Sequence, residues 1–387
     1  MSTKRLPRGV IALGLVSLTM DLSSEMIHSL LPVFLVTVLG ASAMSVGLIE
    51  GIAEATAAVA KVFSGVLSDW FGRRKPLVLL GYGLAALTKP LFPLATGIGA
   101  VLTARFLDRV GKGLRGAPRD ALIADITPKA QRGAAYGLRQ AMDTVGAFAG
   151  PLVAMALMAA SHDDFRLVFW VAVVPAIICV LLIAFGVEEP EATRPVAQPR
   201  LPISRDNFAR LSSRFWWVVA FATVLTLARF SEAFLLLRAE NVGLAATWVP
   251  VILIVMNVVY AASAYPFGRI SDNGSRRALL IWGVIFLIAA DIVLALAASI
   301  WAVGLGAALW GLHMGATQGL LSALVADAVP ADLRGTAFGI FNLVSGIALL
   351  AASVIAGGLW TLLGPAMTFY AGAAFSLVAL LGLSFRR

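Results

Sequence analysis

The chain has 387 residues, of which 60% are hydrophobic and only 13% are charged, and its net charge is +9. Soluble proteins carry about 25% charged residues, so this composition excludes a purely soluble fold and predicts a protein that lies partly in lipid. The excess of cations does not indicate nucleic-acid binding, because Lys and Arg collect at the ends of apolar segments, as they do in membrane proteins. The single cysteine, Cys179, excludes a disulfide framework within the chain.

Twelve long apolar segments follow one another along the chain. About 20 apolar residues span a bilayer, and only helices and closed barrels satisfy the backbone there. The segments lack the alternation of a strand, so we predict an all-α membrane protein with 12 transmembrane helices. Pro32 is expected to bend the first of them. The predicted helices 1 to 12 are 10–38, 43–67, 76–97, 99–121, 133–159, 166–187, 214–237, 246–268, 277–297, 299–324, 335–358 and 364–385.

The distribution of Lys and Arg predicts the orientation of these helices. With the N-terminus in the cytoplasm, one set of loops receives most of the cations, and the opposite loops hold little beyond Arg166 and Arg238. The positive-inside rule therefore predicts a multi-pass protein of the inner (cytoplasmic) membrane with both termini in the cytoplasm. The first apolar run is too long for a signal peptide and is predicted to be a membrane span.

Two motifs occur twice in the chain. The segment 65–75 has a weaker copy that begins 203 residues later, at Gly268, and the segment 124–137 has a copy that begins 202 residues later, at Ala326. Nearly equal offsets predict two pseudo-symmetric six-helix bundles related as parallel repeats. We predict an N-terminal bundle at 1–187, a proline-rich cytoplasmic linker at 188–213 and a C-terminal bundle at 214–387.

This arrangement resembles the major facilitator superfamily of secondary transporters over essentially the whole chain. The first motif matches the family's signature between helices 2 and 3, and Arg105 lies where the family has an arginine in helix 4. Gly146, Gly150 and Pro151 are similar to the first half of the family's antiporter signature. Arg109 stands where a glycine is common, and Val153 and Ala154 replace a second glycine pair. The resemblance implies the 12-helix fold, transport activity and a place in the drug or metabolite:proton antiporter branch.

The two copies of the first motif are interpreted as gates that close the cytoplasmic side. Asp69 can pair with cations or cap a helix N-terminus, Gly65 allows close helix approach, and Gly72 allows a tight turn. The alternative is that the cations only anchor the chain at the membrane surface. The second copy has Ser275 in place of Gly72 and Ala278 in place of Lys75, so the first is expected to contribute more to closure. The predicted gating residues are Gly65, Asp69, Gly72, Arg73, Arg74, Gly268, Asp272, Arg276 and Arg277.

Ionisable residues cluster inside the predicted membrane helices, where they are costly and tend to mark transport pathways. Helix 1 carries acids and a histidine on one face, helix 2 carries two acids, and helix 4 carries a basic stripe. Helix 5 has a base and an acid at i, i+4, and helix 7 has such a pair at i, i+3. At about 1.5 Å of rise per residue, Glu25, Glu54 and Lys112 lie near one level, so these acids and bases are expected to meet near the midplane.

Three interpretations of this cluster remain open. It can be a static ion network, a proton-coupling site or a direct binding site for an anionic or zwitterionic substrate. An acid held between bases and lipid can titrate in the working range, because desolvation opposes its charged form. Glu25 is the first choice for the coupling acid. The proton-coupling candidates are Glu25, Asp21, Glu54, His28, Glu50 and Asp143. The substrate-binding candidates are Arg109, Lys112, Arg105, Arg139, Arg229 and Glu232.

These features predict a secondary active transporter that moves a small organic solute by alternating access, with proton-coupled export. The alternative is a proton-coupled importer or facilitator of an organic anion, and a remote alternative is a non-transporting membrane receptor. The sequence has no histidine pair for a metal, no phosphate loop and no nucleophile elbow, so no enzyme, metal or cofactor is predicted. The predicted partners are a small-molecule substrate, protons and the lipid bilayer, with no nucleic acid. A monomer is expected.

Overall fold

The structure is a computed structural model that describes residues 6–71, 73–128, 131–188, 210–273, 275–330 and 333–384. Within these residues the secondary structure is helical. The helices of the first half are α1 (Arg8–His28), α2 (Leu31–Thr37), α3 (Ala43–Phe71), α4 (Lys75–Thr88), α5 (Leu91–Leu94), α6 (Ile98–Ile126), α7 (Arg132–Ala160), α8 (Phe165–Val171) and α9 (Val173–Gly186). Those of the second half are α10 (Ser213–Ala228), α11 (Ala233–Asn241), a 3-10 turn at Ala246–Trp248, α12 (Val251–Asn273), α13 (Arg276–Leu296), α14 (Ile300–Asp327), α15 (Arg334–Leu363) and α16 (Pro365–Ser384).

Each predicted membrane span coincides with one long helix or with consecutive short ones. Among the described residues, ten helices or consecutive helix pairs are long and apolar enough to cross a membrane. The other two predicted spans correspond to α3 and α6, which have 29 residues each and carry many of the charges predicted at membrane depth. The all-α class that the sequence predicts is therefore confirmed.

The first membrane span is interrupted where the sequence predicts a bend. Helix α1 ends at His28, and α2 begins at Leu31, one residue before Pro32. Proline has no backbone N–H to donate, and its ring clashes with the carbonyl four residues earlier, which here belongs to His28. The Ser29 N–H still bonds to the Glu25 carbonyl at 3.1 Å, so the helix that carries the acidic face is intact up to the break.

The seventh predicted helix is also interrupted, and here the prediction of one continuous helix is wrong. Helix α10 ends at Ala228 and α11 begins at Ala233, so Arg229 and Glu232 lie in the break and do not share a helical face. Hydroxyl groups replace the lost helical bonds. The Ser231 N–H donates to Ser353 Oγ, and the Ala233 N–H donates to Ser231 Oγ, both at 3.3 Å.

The chain forms two compact units, Met1–Leu31 with Thr56–Leu201 and Pro32–Ala55 with Pro202–Arg387. In contrast to the predicted bundles, residues 32–55 group with the second half. Within that unit, Gly47 and Gly51 of α3 face the backbone of α15 at Ser353 and Leu350. Such small residues let helices approach closely in membranes. Residues 189–209 of the predicted linker lie outside the described residues, so the predicted division at 188–213 stays a prediction.

Each unit has its own pattern of helix packing. In the first unit, α1 packs on α7 and α9, and α4 packs on α6 and α9. Its buried core contains Leu13, Met20, Tyr82 and the free thiol Cys179. In the second unit, α12 and α13 pack on α14, and α10 packs on α15 and α16. Leu122 and Ile123 of α6 belong to this core, so the core anchors the charged helix that carries part of the candidate site.

Candidate functional site

Two glycines of α7 bring this helix against the acidic face of α1. A Cβ at Gly146 would lie 2.6 Å from the Leu18 carbonyl and 3.0 Å from the Asp21 Cβ. A Cβ at Gly150 would lie 2.6 Å from the Glu25 Cβ. Only glycine permits such an approach, so these positions fix the turn of α1 that carries both candidate acids.

The acidic face of α1 lies partly exposed beside bases of α6. The Glu25 Oε2 atom is 3.4 Å from His28 Nδ1, and the two side chains are 27% and 17% exposed. Lys112 and Arg109 lie close enough for their charges to act on Glu25. Asp21 is within electrostatic range of Lys112. Bases of α6 therefore lie near the acids of α1 within the first unit, and the predicted roles of these residues stay predictions.

Acidic and basic side chains alternate from α7 to α6. Arg139 Nη1 donates to Asp143 Oδ2 at 2.8 Å and lies 3.9 Å from Asp120 Oδ1. Asp120 also pairs with Arg119 Nε at 3.2 Å. Asp143 in turn acts on the charge of Asp21, so the carboxylates of α1 and α7 are neighbours of like charge. We call the group of Asp21, Glu25, His28, Arg109, Lys112, Arg139 and Asp143 the acid–base cluster, and all of its members except the buried Arg109 are at least partly exposed.

A second ion network in the first unit is almost fully buried. Lys89, just after α4, donates to Asp108 Oδ1 of α6 at 2.9 Å and to Ser24 Oγ of α1 at 3.0 Å. Arg105 Nη1 lies 4.0 Å from Asp108 Oδ2. The side chains of Lys89 and Asp108 are 2% and 6% exposed. Arg105, a predicted substrate-binding residue, is thus buried against Asp108 and faces no open space.

A tyrosine of α4 organises two further arginines of α6. The Arg115 guanidinium lies over the Tyr82 ring, 4.4 Å from its centroid, which is a cation–π geometry. Arg119 Nη1 donates to the Tyr82 hydroxyl at 3.2 Å and to Ser17 Oγ at 3.1 Å. Arg115 and Arg119 are therefore held in place by side chains of α1 and α4.

The two copies of the gating motif make equivalent contacts, each within its own unit. Arg74 pairs with Asp125 at 3.5 Å in the first unit. Arg276 pairs with Asp327 in the second. Because Asp125 and Asp327 belong to the second repeated motif, an ion pair joins the two motifs in each unit.

Each gating motif also donates a hydrogen bond to the end of another helix. Lys75 Nζ donates to the Ala184 carbonyl of α9 at 2.9 Å, and Arg277 Nη2 donates to the Leu383 carbonyl of α16 at 2.7 Å. These contacts correct the predicted alignment, in which Arg73 and Arg74 matched Arg276 and Arg277. The loop between α12 and α13 is one residue shorter than that between α3 and α4, so Arg277 takes the place of Lys75.

Several predicted residues are not brought into the acid–base cluster by the described contacts. Glu50, which is 1% exposed, and Glu54 lie in the part of α3 that belongs to the second unit. Arg73 and Gly268 are exposed. Gly72, the surroundings of Gly65 and the side chains of Asp69 and Asp272 lie outside what the structure describes. The roles of all these residues stay predictions.

The family model that matches this sequence is that of the Major Facilitator Superfamily, over residues 13–256 and 231–387. The chain belongs to the major facilitator superfamily. An uncharacterized MFS-type transporter of Methanocaldococcus jannaschii is 32% identical over 383 residues, which cover 97% of this chain and 94% of that protein. The predicted family and transmembrane fold are therefore confirmed, and the chain is a transporter and not an enzyme.

More distant similarities agree with this assignment to the superfamily. The multidrug resistance protein MdtH of Photorhabdus laumondii is 31% identical over 144 residues, or 37% of this chain and 35% of that protein. The crystal structure of a variant of the nucleoside transporter NupG aligns with a TM-score of 0.83 and 13% identity, over 97% of this chain and 100% of that chain. At this identity the structural likeness shows the fold of the superfamily.

Sequence reasoning missed the centre of the buried network in this superfamily member. Lys89 lies inside the predicted span 76–97 and just before Pro90, and no role was predicted for it. A lysine within an apolar span was the available signal, because such a charge needs a partner at membrane depth. Tyr82 gave no comparable signal, since a tyrosine in an apolar helix is ordinary core.

The transporter also has a fully buried acid in its second unit. Asp291 of α13 is 0% exposed, and neither of its carboxylate oxygens has a hydrogen-bond partner among the described residues. A Cβ at Gly372 of α16 would lie 2.7 Å from Asp291 Oδ2 and 3.1 Å from the Phe230 ring. Phe230 also stacks edge-on against Trp310 and Phe369, so this carboxyl lies at the margin of an aromatic cluster.

The close approach of α7 to α1 gives a direct prediction. Replacement of Gly150 by Ala places a Cβ 3.0 Å from the Leu22 carbonyl and 3.1 Å from the Met26 N. Because backbone must move, we expect the free energy of unfolding to fall by about 1–3 kcal/mol. The matched control is Gly137→Ala in the same helix, where no atom lies within 4 Å. A thermal melt in detergent measures both, and equal effects would contradict the packing argument.

Proposed function

We propose that this protein is a secondary active transporter that exports a small organic solute in exchange for protons by alternating access. The observation that carries the proposal is the packing of Gly146 and Gly150 against the turn of α1 that bears Asp21 and Glu25. The glycines that resemble an antiporter signature thereby position the acids best suited to bind protons. Ionisable side chains at membrane depth are retained at a cost and tend to serve proton relays.

The arrangement of charges supports a role for protons. Asp21 and Asp143 are like-charged neighbours, and a proton on either carboxylate removes their repulsion. Protonation of Asp143 would also weaken its ion pair with Arg139. Such a change can bias one conformation over another only by as much as the proton's affinity for the two conformations differs. The cluster supplies that difference if its water access changes during transport.

Two observations bear on the direction of transport and on the substrate. The partial similarity to the multidrug resistance protein MdtH favours export of drug-like solutes. The basic stripe of α6, with Lys112 exposed and Arg109 nearby, favours the second candidate function, which is import or facilitated passage of an organic anion. We place the protein in the inner membrane as a monomer with both termini in the cytoplasm, as the distribution of Lys and Arg predicts.

A screen with the purified protein separates these candidates. Drug-like cations, nucleosides and organic anions are tested for thermal stabilisation at an acidic and an alkaline pH. Each stabilising compound is then followed in reconstituted vesicles with an imposed proton gradient. Proton-coupled export predicts movement that stops when an ionophore collapses the gradient. Movement that continues unchanged would contradict proton coupling and would favour a facilitator. Thermal stabilisation by organic anions alone would favour the second candidate function.

The gating motif gives a prediction of its own. Asp69 lies in the last turn of α3, where the helix dipole disfavours an anion, so an acid there needs a cationic partner to be stable. We expect Asp69→Asn to lower the turnover rate several-fold and to leave substrate affinity nearly unchanged. The measurement is counterflow in vesicles together with ligand-induced stabilisation. Asp272→Asn is the matched variant in the second copy and is expected to have a smaller effect. An unchanged turnover rate in Asp69→Asn would contradict the gating role.

A further inference from the structure

A buried acid interrupts an apolar helix face in the second unit. Asp291 belongs to the buried residues of α13, the helix on which α14 and α16 pack closely. Val284, Leu287 and Leu294 share its face of the helix, because they lie seven and four residues before it and three residues after it. All three are buried and apolar. The position thus has the surroundings of a core leucine, and packing alone does not explain an acid there.

The carboxyl group of this acid has no polar partner among the described residues. Neither of its oxygens makes a hydrogen bond, and no charged side chain in the described part of the chain lies close enough to act on it. The interface between α13 and α16 contains a second such group. Ser376 is four residues after Gly372, so it shares the face of α16 that meets Asp291, and its buried hydroxyl also lacks a hydrogen-bond partner there.

The titratable and charged groups nearby are engaged elsewhere. In α14, His313 Nδ1 donates to the Gly283 carbonyl at 2.7 Å, and in α11, Arg238 Nε donates to the Leu294 carbonyl at 2.9 Å. In α12, the Tyr260 hydroxyl donates to Gln318 at 3.1 Å. The other such groups on the surrounding elements are Tyr370 of α16, which is exposed, and Arg229 and Glu232, which lie within electrostatic range of each other.

The neutral acid is the form of Asp291 that this packing accommodates. A carboxylate without a partner in apolar surroundings is far more costly than a protonated carboxyl group. Even the neutral group gives up hydrogen bonds that it would make with water, so an apolar residue of similar size would fit the position better. Ionisable residues that are kept at membrane depth at such a cost tend to serve a function.

The acid lies beside the break between α10 and α11, at residues 229–232. A Cβ at Gly372 would lie 2.7 Å from Asp291 Oδ2 and 3.1 Å from the ring of Phe230, which belongs to this break. Two hydrogen bonds to serine hydroxyls, each of 3.3 Å, replace the helical bonds of the break. Broken membrane helices form the transport sites of many secondary transporters. A displacement of Phe230 would uncover Asp291 to water.

We propose that Asp291 is a second proton-binding residue of this transporter and that its ionisation accompanies opening of the break between α10 and α11. In the conformation described here the carboxyl group is protonated. When Phe230 moves away, the O–H bond breaks, water accepts the proton, and water solvates the carboxylate that remains. The reverse transfer lets the apolar packing close again. The proposal rests on the proposed function in that alternating access moves the break, and it gives the second unit a proton site apart from the acid–base cluster.

The protonation state is tested on the purified full-length protein in a detergent without ester groups. The infrared C=O stretch of protonated carboxyl groups is recorded at neutral and at alkaline pH. We expect a band in the wild type that decreases at alkaline pH and that is absent from Asp291→Asn and Asp291→Leu. Leucine suits the apolar face, so the second variant is expected to fold even where the asparagine amide is not tolerated. Asp163→Asn, at an exposed acid, is the control and is expected to keep the band. An Asp291→Leu spectrum equal to that of the wild type would overturn the proposal.

Hydrogen–deuterium exchange of the same proteins tests the link to the break. Amide exchange reports local opening, and wild type and Asp291→Leu are compared at the same pH. At neutral pH we expect residues 229–233 to exchange equally in both. At alkaline pH we expect several-fold faster exchange of this segment in the wild type, with equal exchange of the loop 161–164 as the internal control. Equal exchange of 229–233 at alkaline pH would overturn the proposal. Neither measurement requires a transported solute, so a failure of the proposed function would be seen separately, in the vesicle experiments.

Discussion

Replacement of Lys89 by Met is expected to lower the free energy of unfolding by about 3 kcal/mol, because it leaves the buried Asp108 carboxylate with less compensation. The Lys89 amino group lies 2.9 Å from Asp108 Oδ1 and 3.0 Å from Ser24 Oγ. Methionine matches the length of the lysine stem, so packing is largely kept and the loss reports on charge. Arg105, at 4.0 Å from Asp108 Oδ2, limits the effect, since its positive charge remains near the carboxylate.

The same network predicts an order of effects. Asp108→Asn leaves two buried cations, Lys89 and Arg105, without their shared carboxylate, so its cost is expected to exceed that of Lys89→Met and to reach about 5 kcal/mol. The double variant is expected to cost less than the sum of the single ones, because each change removes the partner that the other would leave unpaired. Unfolding of the purified protein by denaturant or heat in detergent measures all three.

A lysine outside the network provides the control for these variants. Lys61 of α3 is exposed, and Lys61→Met is expected to change stability by no more than about 0.5 kcal/mol. If Lys89→Met behaves like Lys61→Met, or if the costs of Lys89→Met and Asp108→Asn simply add in the double variant, the ion pair contributes no coupling and the buried network is not a unit.

The membrane spans could be predicted because they depend on local composition. Runs of about 20 apolar residues have few ways to satisfy their backbone in lipid, so their length alone indicates helices. The acidic face of α1 was also predictable, because Asp21, Glu25 and His28 are close in sequence and the helical period places them on one face. Their bases were expected on the fourth predicted helix, and Lys112 and Arg109 of α6 do act on Glu25.

Contacts between distant helices could not be predicted in the same way. Lys89, which follows α4, and Asp108 of α6 are 19 residues apart, and only the packing of α4 on α6 pairs them. The break at 229–232 has neither proline nor glycine, and it is stabilised by a hydroxyl of Ser353 from another helix. The two copies of the gating motif were aligned one residue out of register. The sequence shows an arginine pair in each copy, but only the structure shows which groups these side chains bind.

The structure separates two ion networks that the sequence could not distinguish. The Lys89–Asp108–Arg105 network is almost completely buried and has the features of a static support for the first unit. The acid–base cluster, by contrast, is partly exposed at Glu25 and His28 and contains like-charged acids. A group that exchanges protons must reach water, and burial therefore favours the second network for coupling. We therefore propose the static-network interpretation for the buried residues and the proton-coupling interpretation for the acid–base cluster.

Replacement of Glu25 by Gln is expected to abolish proton-driven transport and to leave the fold intact. Glutamine keeps the size of the side chain and its packing against Gly150, but it cannot bind and release a proton. We therefore expect at least a roughly tenfold loss of gradient-driven accumulation, which corresponds to removal of a coupling free energy of about 1.4 kcal/mol or more. The measurement is solute accumulation in reconstituted vesicles across a series of imposed pH gradients. Wild-type accumulation should rise with the gradient, whereas that of the variant should not respond to it.

Two further variants make this result specific. Asp21→Asn tests the neighbouring acid, and a larger loss there than in Glu25→Gln would assign coupling to the Asp21 and Asp143 pair. Asp163→Asn is the control, because Asp163 is exposed between α7 and α8 and its backbone, at a φ of 67°, is one that asparagine also adopts. Full pH-dependent transport by Glu25→Gln would exclude Glu25 as the coupling acid. Exchange of solute without a gradient should persist in Glu25→Gln, because exchange of solute for solute needs no net movement of protons.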